Sequence, residues 1–132
     1  CALNKNTLEL EYAGAHHPIF IFRNSDFIKL KPDNHPIGDP FTEIFSGFNN
    51  TKFQLFKNDV LYLFTDGLVD QFGGSKGQKY SAKQFEQLIK NNSNLNFLSQ
   101  KSVIEESIER WRIGYLKVFD QTDDITLMGI KI

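Results

Sequence analysis

The sequence predicts an α+β fold of mainly antiparallel sheet, and three observations carry that prediction. Short apolar segments follow one another through the first third with only turn-sized gaps. A run apolar on both faces, VLYLF, stands at 60–64, and two segments of helical period lie between it and a final apolar strand. At 132 residues with 40% hydrophobic side chains, the chain is long enough for one packed core and too short for two ordinary domains, so residues 1–132 read as a single unit.

Leu8, Leu10 and Tyr12 alternate with Glu9 and Glu11, the period of a half-buried strand. PIFIF (18–22) and DFIKLK (26–31) follow, with Asn24-Ser25 supplying turn chemistry between them. Three strands so close leave no room for crossover helices, which predicts an antiparallel meander. His16 and His17, adjacent on this strand-like stretch, then point to opposite faces and cannot jointly grip one metal; a structural or substrate-edge role suits them better. Residues 31–40 form a loop, with three prolines and a glycine in ten positions, and His35 within it reads as a packing or hydrogen-bonding residue.

TKFQLFK (51–57) alternates again, and Asn58-Asp59 turns it into VLYLFT (60–65), whose continuous apolar character predicts a central strand buried on both faces. Asp66-Gly67 ends that strand. Residues 71–80, with Gly73, Gly74 and Gly77, read as an exposed, mobile loop in which Lys76 and Lys79 are solvated. Ser81 is placed to cap a helix over about 82–91 with Phe85, Leu88 and Ile89 on one face. A second helix is expected over about 99–112, with Val103, Ile104, Ile108 and Trp111 on the apolar face and Glu105, Glu106 and Glu109 towards water. The last strand is ITLMGIKI (125–132).

Fifteen Lys plus Arg against sixteen Asp plus Glu leave a formal charge of -1, which supplies no basic field for nucleic acid or an anionic membrane. No apolar run approaches the roughly 20 residues of a membrane span. The lone Cys1 forms no internal disulfide and no secretory signal is present, so the cytoplasm is the expected compartment, though a parent protein could be anchored to a membrane. A chain opening at Cys without Met, directly ahead of strand-like sequence, is read as a fragment.

The chemistry-bearing candidates are Asp66, Asp123 and Asp124. Asp66 follows one apolar strand and the Asp123-Asp124 pair precedes another; if the two strands are antiparallel neighbours, all three carboxylates fall at one sheet edge. Like charges gathered there repel, and either a raised pKa or a cation resolves the repulsion. Hard oxygen ligands favour Mg²⁺ or Mn²⁺, and two such ions suit activation of water for attack on phosphorus. From spacing alone, ordinary turn and cap chemistry is the favoured reading of the same residues.

LYLFTDGLVDQFG (61–73) and QTDDITLMGIKI (121–132) resemble the C-terminal motifs of the SpoIIE-like branch of the metal-dependent protein phosphatases, relatives of protein phosphatase type 2C. LEYAGAHHPIFIFR (10–23) and HPIG (35–38) resemble two further segments of that family in the same order. The resemblance implies an α/β/β/α sandwich, of which this chain is the C-terminal part, with a binuclear Mn²⁺ or Mg²⁺ site and hydrolysis of phosphoserine or phosphothreonine. It implies that Asp66 and Asp123 are metal ligands, that Asp124 is the second member of the last acidic pair, and that Gly67 permits the turn presenting Asp66. The family's first metal motif, a Gly-Asp followed by Gly-His-Gly, has no counterpart here. Weak or partial metal binding and negligible activity are therefore expected of the chain alone, and self-association through uncovered sheet surface is a further expectation.

The implied partner is a phosphoprotein substrate, of the kind represented in this branch by phosphorylated antagonists of anti-sigma factors. A haloacid-dehalogenase phosphatase is a poorer match, because its Asp-x-Asp nucleophile pattern would need an aspartate where Phe64 stands. A phosphatase-like module that binds a phosphoprotein or signalling partner without catalysis is the rival from another class.

Overall fold

The structure, a computed structural model, describes residues 1–38, 47–114 and 117–132. Their elements run β1 (Ala2–Leu3), β2 (Glu9–Tyr12), β3 (Ile19–Arg23), β4 (Asp26–Leu30), β5 (Thr51–Gln54), β6 (Val60–Phe64), α1 (Asp66–Asp70), β7 (Phe72–Gly73), β8 (Gln78–Lys79), α2 (Ala82–Asn91), α3 (Phe97–Arg112) and β9 (Leu127–Lys131). The mixture of helices and antiparallel sheet is the predicted α+β class. The chain divides into two compact units, one of Cys1–Leu63 with Gly129–Ile132 and one of Phe64–Met128.

In the first unit, β3 and β4 form a hairpin closed by Asn24 and Ser25, both at positive φ (49° and 67°), the backbone that a two-residue hairpin turn with right-handed strand twist demands. The predicted single meander is not what forms. β2 pairs with β1 and β5 in one sheet, whereas β3 lies between β4 and β6 in another, in the order β4-β3-β6-β9. The short gap between β2 and β3 changes sheets instead of reversing within one. His16 adopts φ 62°, its N–H donates to the Asp33 carbonyl (3.0 Å), and Asp33 N–H donates to the Gly14 carbonyl (2.8 Å), so the backbone around Ala15 bridges to the following loop and not to a strand. His16 and His17 are thus exposed loop residues, and the opposite-face argument does not apply to them. The irregular stretch predicted over 31–40 is found for residues 31–38; its last two residues lie outside the described ones.

Separating β2 from β3 lets two sheets share one core. Leu10 and Tyr12 of β2 meet Ile19 and Ile21 of β3, Leu30 of β4, Leu55, and Leu61 of β6, all buried. On the other side of β3, Phe20 lies in register with Tyr62, and Phe27 sits 6.0 Å from the Phe20 ring and 6.2 Å from that of Tyr62. Burial pushes the Tyr62 hydroxyl up to about 12. β6 therefore is the interior strand its two-sided apolar sequence predicted.

The second unit is built on α2 and α3. Ser81 Oγ accepts from Gln84 N–H and opens α2 at the predicted residue. Asn96 Oδ1 accepts from Ser99 N–H (2.9 Å) and starts α3 two residues earlier than the periodicity indicated, because the cap sets a helix start more sharply than its apolar face does. Phe85, Ile89, Ile104 and Ile108 are buried, and Phe64 packs edge-on to Phe85 with centroids 5.0 Å apart.

The 71–80 segment is exposed at Phe72, Ser75, Lys76, Gln78 and Lys79, as expected, but it is a paired and anchored segment and not a plain loop. Gln71 and Tyr80 are buried, and between them β7 and β8 form a short hairpin. Gly73 and Gly74 serve contact here. Gly74 N–H donates to the Trp111 carbonyl (2.6 Å), and a Cβ on Gly74 would come within 2.9 Å of the Trp111 ring. A composition that usually marks loose chain instead lets backbone lie directly on a large side chain.

Candidate metal-binding edge

β6 and β9 are sheet neighbours, bonded at one end through Asn58 and Asp59 to Ile132 and at the other from Thr65 N–H to the Thr126 carbonyl (3.0 Å), which makes them antiparallel. The end of β6 and the approach to β9 thus meet at one sheet edge. Thr65 is the clasp. Its hydroxyl donates to the Asp124 carbonyl (2.8 Å) and accepts from Thr126 N–H (2.9 Å). That engagement explains why Thr65, at the N-cap position of α1, makes no side-chain cap bond: its one oxygen is committed across the strands.

Gly67 completes the approach. It lies inside α1 and is not among the residues at positive φ, so the expectation that it permits a special turn is corrected. Its role is proximity. A Cβ there would sit 2.5 Å from the Asp124 carbonyl oxygen and 3.2 Å from the Asp123 carbonyl carbon. That oxygen is held by Thr65 and has little freedom to retreat.

Gly67→Ala sets two effects against each other. Alanine in place of glycine favours a helix by roughly 1 kcal/mol, whereas overpacking against fixed backbone costs about 1–3 kcal/mol. The clash wins, and the variant is expected to unfold at lower denaturant than the parent chain. A midpoint equal to or above the parent's would show that Asp124 moves aside freely.

The three predicted site residues are brought to this edge as backbone, and all three side chains are exposed. One oxygen of Asp123 accepts from Asp124 N–H (2.7 Å), and the Asp123 carbonyl accepts from the Gln121 amide (2.9 Å). The contacts seen for Asp124 run through its backbone. Among the described residues, no group of three or more His, Cys, Asp or Glu side chains is disposed to hold a metal ion. Asp66 and Asp123 nonetheless supply the hard carboxylate oxygens that Mg²⁺ and Mn²⁺ take, ions that keep several waters and use one or two protein carboxylates. That donor chemistry is compatible with such an ion as part of a larger site. Lys79, expected to be solvated, is on the surface and paired there with Asp70 at 2.7 Å.

The family model described as stage II sporulation protein E (SpoIIE) matches residues 1–132, the whole chain. The chain belongs to the SpoIIE family. No curated protein sequence matches it. Among solved structures, this SpoIIE-family chain is similar to the SiaA-PP2C domain of Pseudomonas aeruginosa, at 22% identity and a TM-score of 0.83, over 97% of this chain and 48% of that one. It is similar also to the PP2C phosphatase domain, with a fragment of the regulatory domain, of the cell fate determinant SpoIIE from Bacillus subtilis. There the identity is 19% and the TM-score 0.70, over 98% of this chain and 36% of that one. A Mn-presoaked phosphatase domain of the same protein matches at 21% identity and a TM-score of 0.67, over 99% and 53%. The fold is therefore of the PP2C phosphatase type, and the chain spans between 36% and 53% of the length of these three solved chains.

Two residues of the site were not singled out from the sequence. Thr65 stood in the quoted Thr-Asp-Gly motif without a role of its own. Gln71 was assigned to a mobile loop, and no local pattern marks it as fully buried.

Proposed function

We propose that the domain to which this chain contributes hydrolyses phosphoserine or phosphothreonine on a regulatory protein in the cytoplasm, with Asp66 and Asp123 as divalent-metal carboxylates. The observation that carries the reading is the contact of Gly67 with the Asp124 carbonyl, which brings the residues flanking both aspartates together. The chemistry that Mn²⁺ or Mg²⁺ supplies in such a site is Lewis-acid activation of water and neutralisation of charge on a phosphoryl group. Asp66 contributes a carboxylate at the first residue of α1, and Asp123 contributes one from the segment leading into β9. Thr65 holds the backbone of the two segments in register, which supports the reading of their aspartates as one site. Asp124 holds that register through its backbone, and its carboxylate is a third donor at the same edge.

No helix among the described residues is long and apolar enough to cross a membrane, and the near-neutral charge offers nucleic acid no general attraction. A phosphoprotein is the partner most consistent with both, and a phosphorylated antagonist of an anti-sigma factor is the specific form proposed.

The test is phosphate release from a phosphoserine peptide by the full-length protein. Release is expected with Mn²⁺ or Mg²⁺, to fall to background with EDTA, and to return on metal addition; the 132-residue chain alone is expected to give negligible turnover. Release that ignores EDTA would remove the metal reading. Phosphopeptide binding with no release under any metal condition would favour the non-catalytic module.

A further inference from the structure

Gln71 follows α1 directly and is wholly buried, at 0% exposure. Its side-chain nitrogen donates to the carbonyls of Phe72 (3.0 Å) and Asp120 (2.9 Å), and its side-chain oxygen accepts from Thr122 N–H (3.1 Å). Its own carbonyl accepts from Tyr80 N–H (2.9 Å) and the Trp111 indole N–H (3.1 Å). A buried amide with both ends engaged is a precise fixture, because any displacement leaves a donor or acceptor unpaired away from water.

Two of the three side-chain bonds go to Asp120 and Thr122, the approach to Asp123. Gln121 carries the constraint one residue further by donating to the Asp123 carbonyl (2.9 Å). On its other side Gln71 is the residue into which α1 ends, and Asp66 begins that helix. One side chain therefore ties the segment bearing Asp66 to the segment bearing Asp123. It acts from inside the unit, whereas Thr65 and Gly67 act from the strand end.

We propose that Gln71 is the positioning residue of the acidic edge: its amide registers Asp123 against Asp66, and divalent-metal affinity depends on that amide being in place. The inference rests on the reading of Asp66 and Asp123 as metal carboxylates, and it gives Gln71 no contact with metal or substrate. Only glutamine meets the requirement. Glutamate has the same reach but no donor for the Phe72 and Asp120 carbonyls, and it would bury a charge. Methionine keeps much of the volume and loses all three bonds. Asparagine keeps the amide and is one methylene too short to serve both sides.

The test compares Gln71→Met with Asp123→Asn, Asp66→Asn and the core control Ile104→Val in the full-length protein. Mn²⁺ affinity is read from the electron paramagnetic resonance of the free ion, and order in the acidic segment from amide hydrogen exchange at Thr122. Outer partners of metal sites typically matter by about 10–100-fold. Gln71→Met is expected to weaken Mn²⁺ binding about tenfold or more and to speed Thr122 exchange relative to the α2 amides, while Ile104→Val changes Mn²⁺ affinity less than about twofold. Should Gln71→Met fail to fold, Gln71→Asn, which keeps a polar amide in the site, gives the same two readouts.

Parent-like Mn²⁺ affinity in the Gln71 variant alongside loss in Asp123→Asn overturns the inference and leaves the metal reading intact. An equal loss in Ile104→Val also overturns it, since the effect would then be general destabilisation. If Asp66→Asn and Asp123→Asn both bind Mn²⁺ as the parent does, the metal reading falls and takes this inference with it.

Discussion

Asp66→Asn and Asp123→Asn are each expected to lower metal-dependent phosphate release by the full-length protein by at least about a hundredfold, the upper end of what loss of an outer partner costs a metal site. Asparagine preserves the size of the side chain and a carbonyl acceptor, but it removes the charge that a hard dication requires. The same substitutions are expected to leave stability within about 0.5 kcal/mol, as is usual for exposed positions. Any change should be towards greater stability, because one of three like charges at the edge is removed. Asp124→Asn is expected to have a smaller effect, since the contacts seen for that residue use its backbone. The comparison is made by phosphate release across a Mn²⁺ titration together with urea unfolding. A hundredfold loss matched by an equal loss of stability would assign these aspartates to folding instead of chemistry.

Arg23→Ala is expected to destabilise the first unit by about 3 kcal/mol, the lower end of the cost of leaving one partner of a buried ion pair alone, because Arg23 itself keeps 20% of its side chain exposed. Asp59 is only 2% exposed, and Arg23 grips both its oxygens, Nε to Oδ1 at 2.9 Å and a terminal nitrogen to Oδ2 at 2.6 Å. A further bond joins Arg23 to the Gln54 carbonyl (2.9 Å), and the guanidinium lies 4.4 Å from the Phe56 ring centroid. The pair thereby pins the β5–β6 turn, where Asn58 adopts φ 75°. Lysine cannot reproduce a bidentate, stacked guanidinium, so Arg23→Lys should recover only part of the loss.

The pH dependence has a definite sign. Burial alone pushes the Asp59 carboxyl up, but the Arg23 bonds, the Phe56 N–H and the guanidinium charge together outweigh it and hold the group below its ordinary value. A folded-state pKa lowered in this way contributes stability that is fully present above the unfolded value, about 3.9. That contribution is lost as pH falls through the lower folded value. In Arg23→Ala the depression is removed while burial remains, so the variant's deficit should be largest near neutral pH and should shrink in acid. Urea midpoints of parent and variant at neutral and acidic pH measure it; a gap independent of pH would mean that Arg23 acts through packing alone.

Much of the chain was legible because the signals are local. The Ser81 cap with its apolar face at Phe85 and Ile89 placed α2 at its observed start, and Asn24-Ser25 and Asn58 marked turns that do adopt positive φ. VLYLF announced an interior strand, and β6 has neighbours on both sides. Each of these depends on residues within a few positions of one another, where period, cap and turn chemistry act directly. The candidate carboxylates were legible for the same reason, since each sits at the end of a recognisable apolar run.

Sequence by itself therefore determined the longer strands and the two long helices, their order, the interior character of β6 and the placing of Asp66 after one strand and of Asp123 and Asp124 ahead of another, but not α1 or the two-residue strands β1, β7 and β8. Tertiary structure alone decided which sheet β2 and β3 each join, and that the glycine-rich 71–80 segment is a hairpin packed on Trp111. It decided also that Gly67 is required by the nearness of Asp124 and not by its own φ, and that Gln71 is a buried tie. The physical reason is distance along the chain. Thr65 and Thr126 meet across 61 positions, and Gln71 and Thr122 across 51. No periodicity encodes such meetings; they follow from packing the whole chain, in which a small residue or a buried amide takes its meaning from whatever arrives against it.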